Sequence, residues 1–124
     1  MSKAIKITAG QIQFDAELND SPTAQAIYDS LTIKANVNRW GGEIYFTITV
    51  EAEPEADSRD VLEAGELGYW PPGNAFCIFF GPTPASQVNE IRAASAVNII
   101  GKVRGDLSQL WNVPDGADIL IEAD

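Results

Sequence analysis

The chain of 124 residues contains no histidine, one cysteine and one methionine. Without imidazole, Ser-His-Asp catalysis, a Cys-His nucleophile and His-ligated zinc are all excluded. Cys77 stands alone, which excludes an internal disulfide and a thiolate-bound zinc or iron–sulfur cluster, and its place inside an apolar run indicates a structural role. The carboxylates show no EF-hand spacing, so we expect no metal and no cofactor.

Positive charge is also scarce, because 8 lysines and arginines stand against 18 acidic residues and leave a net charge of −10. Phosphate groups would be repelled over most of such a surface, which argues against nucleic acid and anionic membranes as partners. No apolar run approaches the length of a membrane span, and the N-terminal segment MSKAIKITAG lacks the apolar stretch of a signal peptide. We therefore expect a cytoplasmic protein.

Length and composition predict a single domain over residues 1–124 with its own hydrophobic core, since 45% of the residues are hydrophobic. Most of the chain has the period of two that is typical of strands, as in Gln11–Leu18, where Ile12 and Phe14 share one face. A short helix is predicted over Pro22–Ser30, with Asp20 or Ser21 as its cap. Asp106–Trp111 is predicted to form a single helical turn.

The strand patterns indicate seven or eight strands in total. Glu43–Val50 alternates strongly, whereas Asn38–Gly42 is expected to turn the chain, Glu51–Asp60 to form a solvated loop and Ala96–Val103 to form a strand with a bulge or close approach at Gly101. A sheet of that size with one helix removes its edges most economically by closing on itself. The predicted fold is therefore all-β, a closed barrel of about eight strands with one or two short helices.

The segment Gly68–Ser86 (GYWPPGNAFCIFFGPTPAS) is the most informative part of the chain. Pro71–Asn74 predicts a tight turn, and Ala75–Phe80 (AFCIFF) predicts a strand without any charge. Because an exposed strand that is apolar on both faces would aggregate, it belongs in the middle of the sheet.

Several local segments, in this order along the chain, resemble the cyclophilin fold. Asp20–Leu31 is similar to the first cyclophilin helix, Gly65–Phe80 to a strand-turn-strand with paired phenylalanines, and Ile100–Val103 (IGKV) to the F-G-K-V segment. A closer resemblance is to a family of small prokaryotic cyclophilin-like proteins of unknown function. It is carried by Asp20–Ala26, Arg39–Phe46, Gly68–Ser86 and Val97–Gly101, and it extends from about Ile5 to Ile121.

The resemblance bears on activity through one arginine. Prolyl-isomerase cyclophilins carry a catalytic arginine in an F-H-R segment; the corresponding region, Val37–Glu43, keeps Arg39 but has neither the Phe-His nor the Q-G-G-D string. Prolyl isomerisation needs only an apolar pocket and a donor that weakens amide resonance, so the resemblance makes Arg39 the candidate donor. In the competing interpretation Arg39 pairs with Glu43 or another carboxylate and supports the glycine turn.

A ligand pocket is predicted along the Tyr69–Thr83 hairpin, with Arg39 and Glu43 near its mouth. Rigidly held aromatic residues make good binding platforms, and core packing is the competing role for each. Alternation places Tyr69 and Trp70 on opposite faces, so at most one of them is fully buried. The candidate ligand-binding residues are Arg39, Glu43, Tyr69, Trp70, Asn74, Phe76, Phe80 and Thr83, where Asn74 and Thr83 have turn stabilisation as the alternative.

Three hypotheses for function follow. The first is a barrel that binds a small molecule or a proline-containing peptide in an apolar pocket, without robust prolyl isomerase activity. The second is a divergent peptidyl-prolyl cis-trans isomerase with Arg39 as the electrostatic donor. The third is a non-catalytic partner subunit of a larger assembly, because the chain is small and lacks obvious catalytic groups.

Overall fold

The computed structural model describes residues 2–124, and within them it has one α-helix, two short 3-10 turns and ten strands. Helix α1 spans Pro22–Asp29, and the 3-10 turns span Pro71–Gly73 and Ser108–Asn112. The strands are β1 (Lys3–Ala9), β2 (Ile12–Leu18), β3 (Ile33–Asn36), β4 (Asn38–Trp40), β5 (Glu43–Thr47), β6 (Arg59–Leu62), β7 (Glu66–Trp70), β8 (Ala75–Phe79), β9 (Ile91–Arg104) and β10 (Asp118–Ala123).

Helix α1 begins where its capping residues predict. The Ser21 side chain accepts a hydrogen bond from the Ala24 backbone N–H at 3.2 Å, and Pro22 occupies the first turn, where its missing N–H costs nothing. Ala24 and Ile27 are fully buried against the sheet. This helix is eight residues long, and no helix within residues 2–124 is long and apolar enough to cross a membrane.

The strands of the described chain form one antiparallel sheet in the order β3-β10-β1-β2-β9-β7-β8-β5-β4, with β6 paired to β9 off this path. A mainly β fold with one helix is therefore confirmed, but the sheet is not closed by hydrogen bonds, as a closed barrel of about eight strands requires. Its two ends, β3 and β4, are separated in the chain only by Val37. The Val37 N–H donates to Ala117 O at 2.9 Å, and its C=O accepts from the Gly116 N–H at 2.8 Å. The backbone of Val37 thus bonds to the loop before β10 and not to a strand that would join the edges.

The observed strands differ from the predicted ones at two places. Asn38–Trp40, predicted as part of a turn, forms β4 and pairs with β5 across the Gly41-Gly42 connection. The strand predicted over Ala96–Val103 is longer in the structure. It forms β9, which starts at Ile91, and the first part of β9 pairs with β6. β9 then continues between β2 and β7, so one long strand joins the main sheet to the short β6 pairing.

Strand β8 is buried at all five positions, which confirms its predicted place in the interior of the sheet. Alternate side chains enter two different apolar clusters. Phe76 and Ile78 join the main core with the helix and the β1–β2 hairpin. Ala75, Cys77 and Phe79 join a second cluster on the other face of the sheet, covered by Leu62 of β6 and by Ala93 and Val97 of β9.

The buried amide of Asn98 holds the acidic segment against the sheet. Its side-chain oxygen accepts from the Glu55 backbone N–H at 2.8 Å, and its nitrogen donates to Glu53 O and to Thr23 Oγ1, each at 3.0 Å. The Glu55 carboxylate in turn accepts from the Thr23 N–H at 3.0 Å. Glu51–Asp60 is therefore an anchored loop up to residue 58, and β6 begins at Arg59.

Gly101 provides a test of the packing between strands. A Cβ at this position would overlap the carbonyl oxygen of Glu17 on the adjacent β2. We expect Gly101→Ala to lower the free energy of unfolding by more than about 3 kcal/mol, because backbone cannot move aside as a side chain can. Gly10→Ala is the control: its φ of +60° is strained for alanine, but its nearest neighbour is 3.8 Å away. It should cost only about 1–2 kcal/mol. Equal costs in urea denaturation would contradict the predicted overlap.

Candidate ligand-binding site

A cavity of about 150 Å³ opens on the face of the sheet that carries the second apolar cluster. A space of this volume accommodates a single ring or a compact alkyl group. Strands β4, β5, β7, β8 and β9 all contribute to its walls. The lining residues are Trp40, Glu43, Tyr45, Trp70, Ala75, Cys77, Ala93, Ala94 and Val97.

Strand register explains why these residues meet. Glu43 and Tyr45 are two apart on β5, so they share a face, and Tyr45 lies opposite Cys77 of β8. Trp40 lies opposite Glu43 across the β4–β5 hairpin. On the other side of β8, Trp70 lies opposite Ala75, and its indole N–H donates to Ser95 Oγ at 2.7 Å, which ties β7 to β9 at the rim.

Glu43 is the polar group of this cavity and is only 6% exposed. Burial raises the pKa of its carboxyl group to about 7, and the neighbouring Cys77 thiol opposes this shift. The same burial, together with the neighbouring carboxylate, raises the pKa of the Cys77 thiol well above its ordinary value. Cys77 is therefore protonated and unreactive, whereas Glu43 changes its charge near neutral pH.

The raised pKa of Glu43 predicts a pH dependence of stability. In the unfolded chain this carboxyl ionises near pH 4.5, but in the native state it ionises only near pH 7. Its contribution to the free energy of unfolding therefore falls as pH rises between these values, by up to about 3 kcal/mol, and is constant above them. Glu43→Gln removes this contribution, so the variant should become progressively more stable than the wild type from about pH 4.5 to about pH 7.

The measurement is urea denaturation of both proteins across that pH range. Because the other acidic residues titrate in both, the difference in free energy of unfolding isolates Glu43. A difference that does not change with pH would show that the carboxyl has an ordinary pKa.

Arg39 lies away from this cavity, at one end of the main core. One guanidinium nitrogen donates to Val113 O at 2.6 Å and the other to Gly41 O at 2.9 Å. The group packs on the rings of Phe80 and Trp111, at 5.3 Å and 5.8 Å from their centroids. Its Nε is buried without a partner among the described residues. Alternation along β4 puts Arg39 and Trp40 on opposite faces, so the pairing with Glu43 that one interpretation of the sequence predicted is not formed. The bond to Gly41 O does support the glycine turn, as that interpretation also predicted.

These contacts predict that Arg39 stabilises the C-terminal loop. Arg39→Ala should lower the free energy of unfolding by about 2–3 kcal/mol, because the carbonyl of the buried Val113 loses a charged donor and two rings lose their packing partner. Arg39→Lys should recover only part of this loss, since an ammonium does not reproduce the planar fork. Arg104→Ala is the control, because that side chain is 60% exposed and its partner is Glu17. The control should cost less than about 1 kcal/mol. Equal losses for Arg39→Ala and Arg104→Ala in urea denaturation would overturn the anchoring role.

Two predicted pocket residues are core residues in the structure. Tyr69 and Phe76 have no exposed surface. Phe76 stacks on Phe46 at a centroid distance of 5.3 Å. The Tyr69 hydroxyl donates to Val50 O at 2.7 Å and accepts from the Ala52 N–H at 3.2 Å. Because these side chains are enclosed by the main cluster, they have no contact with the cavity on the other face.

The remaining predicted residues hold turns or the end of the core. Asn74 adopts the left-handed conformation that closes the turn after Pro71, and its side-chain oxygen lies 3.0 Å from the Tyr69 hydroxyl. Thr83 is buried, with its hydroxyl bonded to Arg92 O and its N–H to Ser86 Oγ. Phe80 packs edge-on against Trp111.

Of the eight predicted residues, the cavity therefore brings together Glu43 and Trp70 alone. Alternation from Glu43 identifies Tyr45 as its neighbour on the same face, and Trp40 follows from the hairpin register. No sequence signal identifies Ala93 and Ala94 as pocket residues. They line the cavity only because the first part of β9 covers this face of the sheet. Within residues 2–124 no three Cys, Asp or Glu residues are grouped so as to hold a metal ion.

Comparison with known proteins places this architecture in a family. The family model described as Cyclophilin-like matches residues 3–122. The chain belongs to the cyclophilin-like family. The solution structure of the hypothetical protein AF2241 from Archaeoglobus fulgidus is similar at 43% identity with a TM-score of 0.84, over 99% of this chain and 95% of that one.

A second solved structure, McbB in complex with tryptophan, shares the fold alone. It is 14% identical with a TM-score of 0.74, and the match covers 97% of this chain but 44% of McbB. No match was found among curated proteins.

Proposed function

We propose that this cyclophilin-like domain binds a small ligand, or one side chain of a peptide, in the cavity beside Glu43. The observation that carries the proposal is a space of about 150 Å³ with largely apolar walls and one buried carboxyl group. Binding sites for small molecules are typically concave and apolar, with a few polar groups that fix orientation. The fold is also that of McbB, whose structure contains tryptophan, although at 14% identity only the fold carries over.

The geometry gives less support to a divergent prolyl isomerase. A donor that weakens amide resonance must face the bound proline. The guanidinium nitrogens of Arg39 instead bond to backbone carbonyls of its own chain, and Arg39 does not line the cavity. We therefore assign Arg39 to anchoring and place the ligand site on the opposite face of β4.

Tryptophan side chains report directly on this proposal, because Trp40 and Trp70 line the cavity and Trp111 does not. In a screen of small aromatic and aliphatic compounds by NMR, a ligand should shift the indole N–H signals of Trp40 and Trp70 and leave that of Trp111 unchanged. Ala94→Phe should abolish these shifts, because Ala94 is an exposed residue of the cavity wall and a ring there fills the space.

Ala96→Phe is the matched control, since Ala96 is equally on the surface of β9 but does not line the cavity. Shifts that survive Ala94→Phe, or that include Trp111, would place any ligand elsewhere. If no compound moves the two cavity indoles, the cavity is not a site for ligands of this size.

A further inference from the structure

Three aromatic residues line the cavity: Trp40 from β4, Tyr45 from β5 and Trp70 from β7. The face of an aromatic ring carries partial negative charge and attracts cations, most strongly in tryptophan. Several rings around one small space can therefore recognise an ammonium group. A neutral hydrocarbon ligand would be served equally well by aliphatic walls.

The carboxyl group of Glu43 enters the same cavity without a cation of its own. Arg39 is on the opposite face of the sheet and bonds to backbone carbonyls. The ion pairs within residues 2–124 use other carboxylates: Glu66 with Arg59, Asp60 and Glu90 with Arg92, and Glu17 with Arg104. Within residues 2–124 these ion pairs leave Glu43 without a cation, so a counter-ion for its ionised form must come from outside the described chain.

The charge of the cavity depends on Glu43. Cys77 of β8 and Tyr45 of β5 are the other titratable residues that line it, and β4, β7 and β9 contribute only indole and alkyl groups. Burial keeps the Cys77 thiol protonated, because its pKa is raised well above the ordinary value. The net charge of −10 gives the whole surface a potential that draws cations toward it.

We infer that the cavity is a cage for an organic ammonium ion, with the rings of Trp40, Tyr45 and Trp70 around the cation and the carboxylate of Glu43 as its counter-ion. This inference rests on the proposed function, since it specifies the chemistry of the ligand for the same site. It implies a dependence on pH, because the ionised carboxyl attracts the cation and the neutral carboxyl does not. Since burial raises the pKa of Glu43 to about 7, binding should strengthen as pH rises through that value.

The test compares choline with 3,3-dimethylbutan-1-ol, in which a neutral carbon replaces the quaternary nitrogen. At about pH 8.5, titration calorimetry and the indole signals of Trp40 and Trp70 should show choline binding at least about ten-fold more tightly than the alcohol. Choline affinity should fall about ten-fold or more at about pH 5.5, whereas that of the alcohol should not change. Glu43→Gln should weaken choline binding at about pH 8.5 and abolish its pH dependence, whereas the rings alone keep a smaller preference for choline over the alcohol.

The possible outcomes separate this inference from the proposed function. If both probes bind equally and Ala94→Phe blocks both, the cavity is a ligand site but not an ammonium cage. If choline binds with no pH dependence, or binds equally well to Glu43→Gln, the carboxylate is not its counter-ion and the inference fails. If choline leaves the indole signals of Trp40 and Trp70 unchanged, the ammonium inference is overturned, and the broader compound screen alone decides whether the cavity binds ligands.

Discussion

All five residues of β8 are buried, and the two apolar clusters on the two faces of the sheet both depend on this strand. Side chains of a strand alternate between faces, so a strand with no exposed position needs apolar cover on each side. The main core, with Phe46 stacked on Phe76, covers one face. The first part of β9, together with β6, covers the other. The cavity lies within this second, thinner cover, between Trp70 of the sheet and Ala93 of β9.

The same alternation separates the two charged groups that the sequence places close together. Arg39 and Glu43 are four residues apart on a hairpin, yet they belong to opposite faces of the sheet. The Arg39 guanidinium donates to the carbonyls of Gly41 and Val113, and its backbone N–H donates to the Asp115 carboxylate at 2.9 Å. An arginine that family resemblance makes a candidate catalyst thus bonds to the C-terminal loop, and the proposed ligand site lies on the other face of the sheet.

Patterns confined to one element were predictable from the sequence. The alternation of β2, the cap and extent of α1 and the central place of β8 all follow from local rules, which need no information about distant parts of the chain. The path of β9 and the open ends of the sheet depend on pairing between distant residues, such as Val97 with Arg59, which local periodicity does not encode. The walls of the cavity could not be predicted for the same reason: burial decides which aromatic residue of the Tyr69–Trp70 pair faces it.

Burial of the Glu43 carboxyl group lowers the stability of the protein at neutral pH. A carboxyl held in an apolar wall without a cation stabilises neither the strand nor the cluster around it, and the Cys77 thiol is a weak donor that offsets little of the burial. Against a typical total stability of about 5–15 kcal/mol, a cost of about 3 kcal/mol at neutral pH is large. Strongly shifted pKa values cluster at functional sites, although structural ion-pair networks and burial alone also produce them. Glu43 belongs to no ion pair of the described chain, and burial is the main cause of its shift, so its position in the wall of the cavity is consistent with the proposed ligand site.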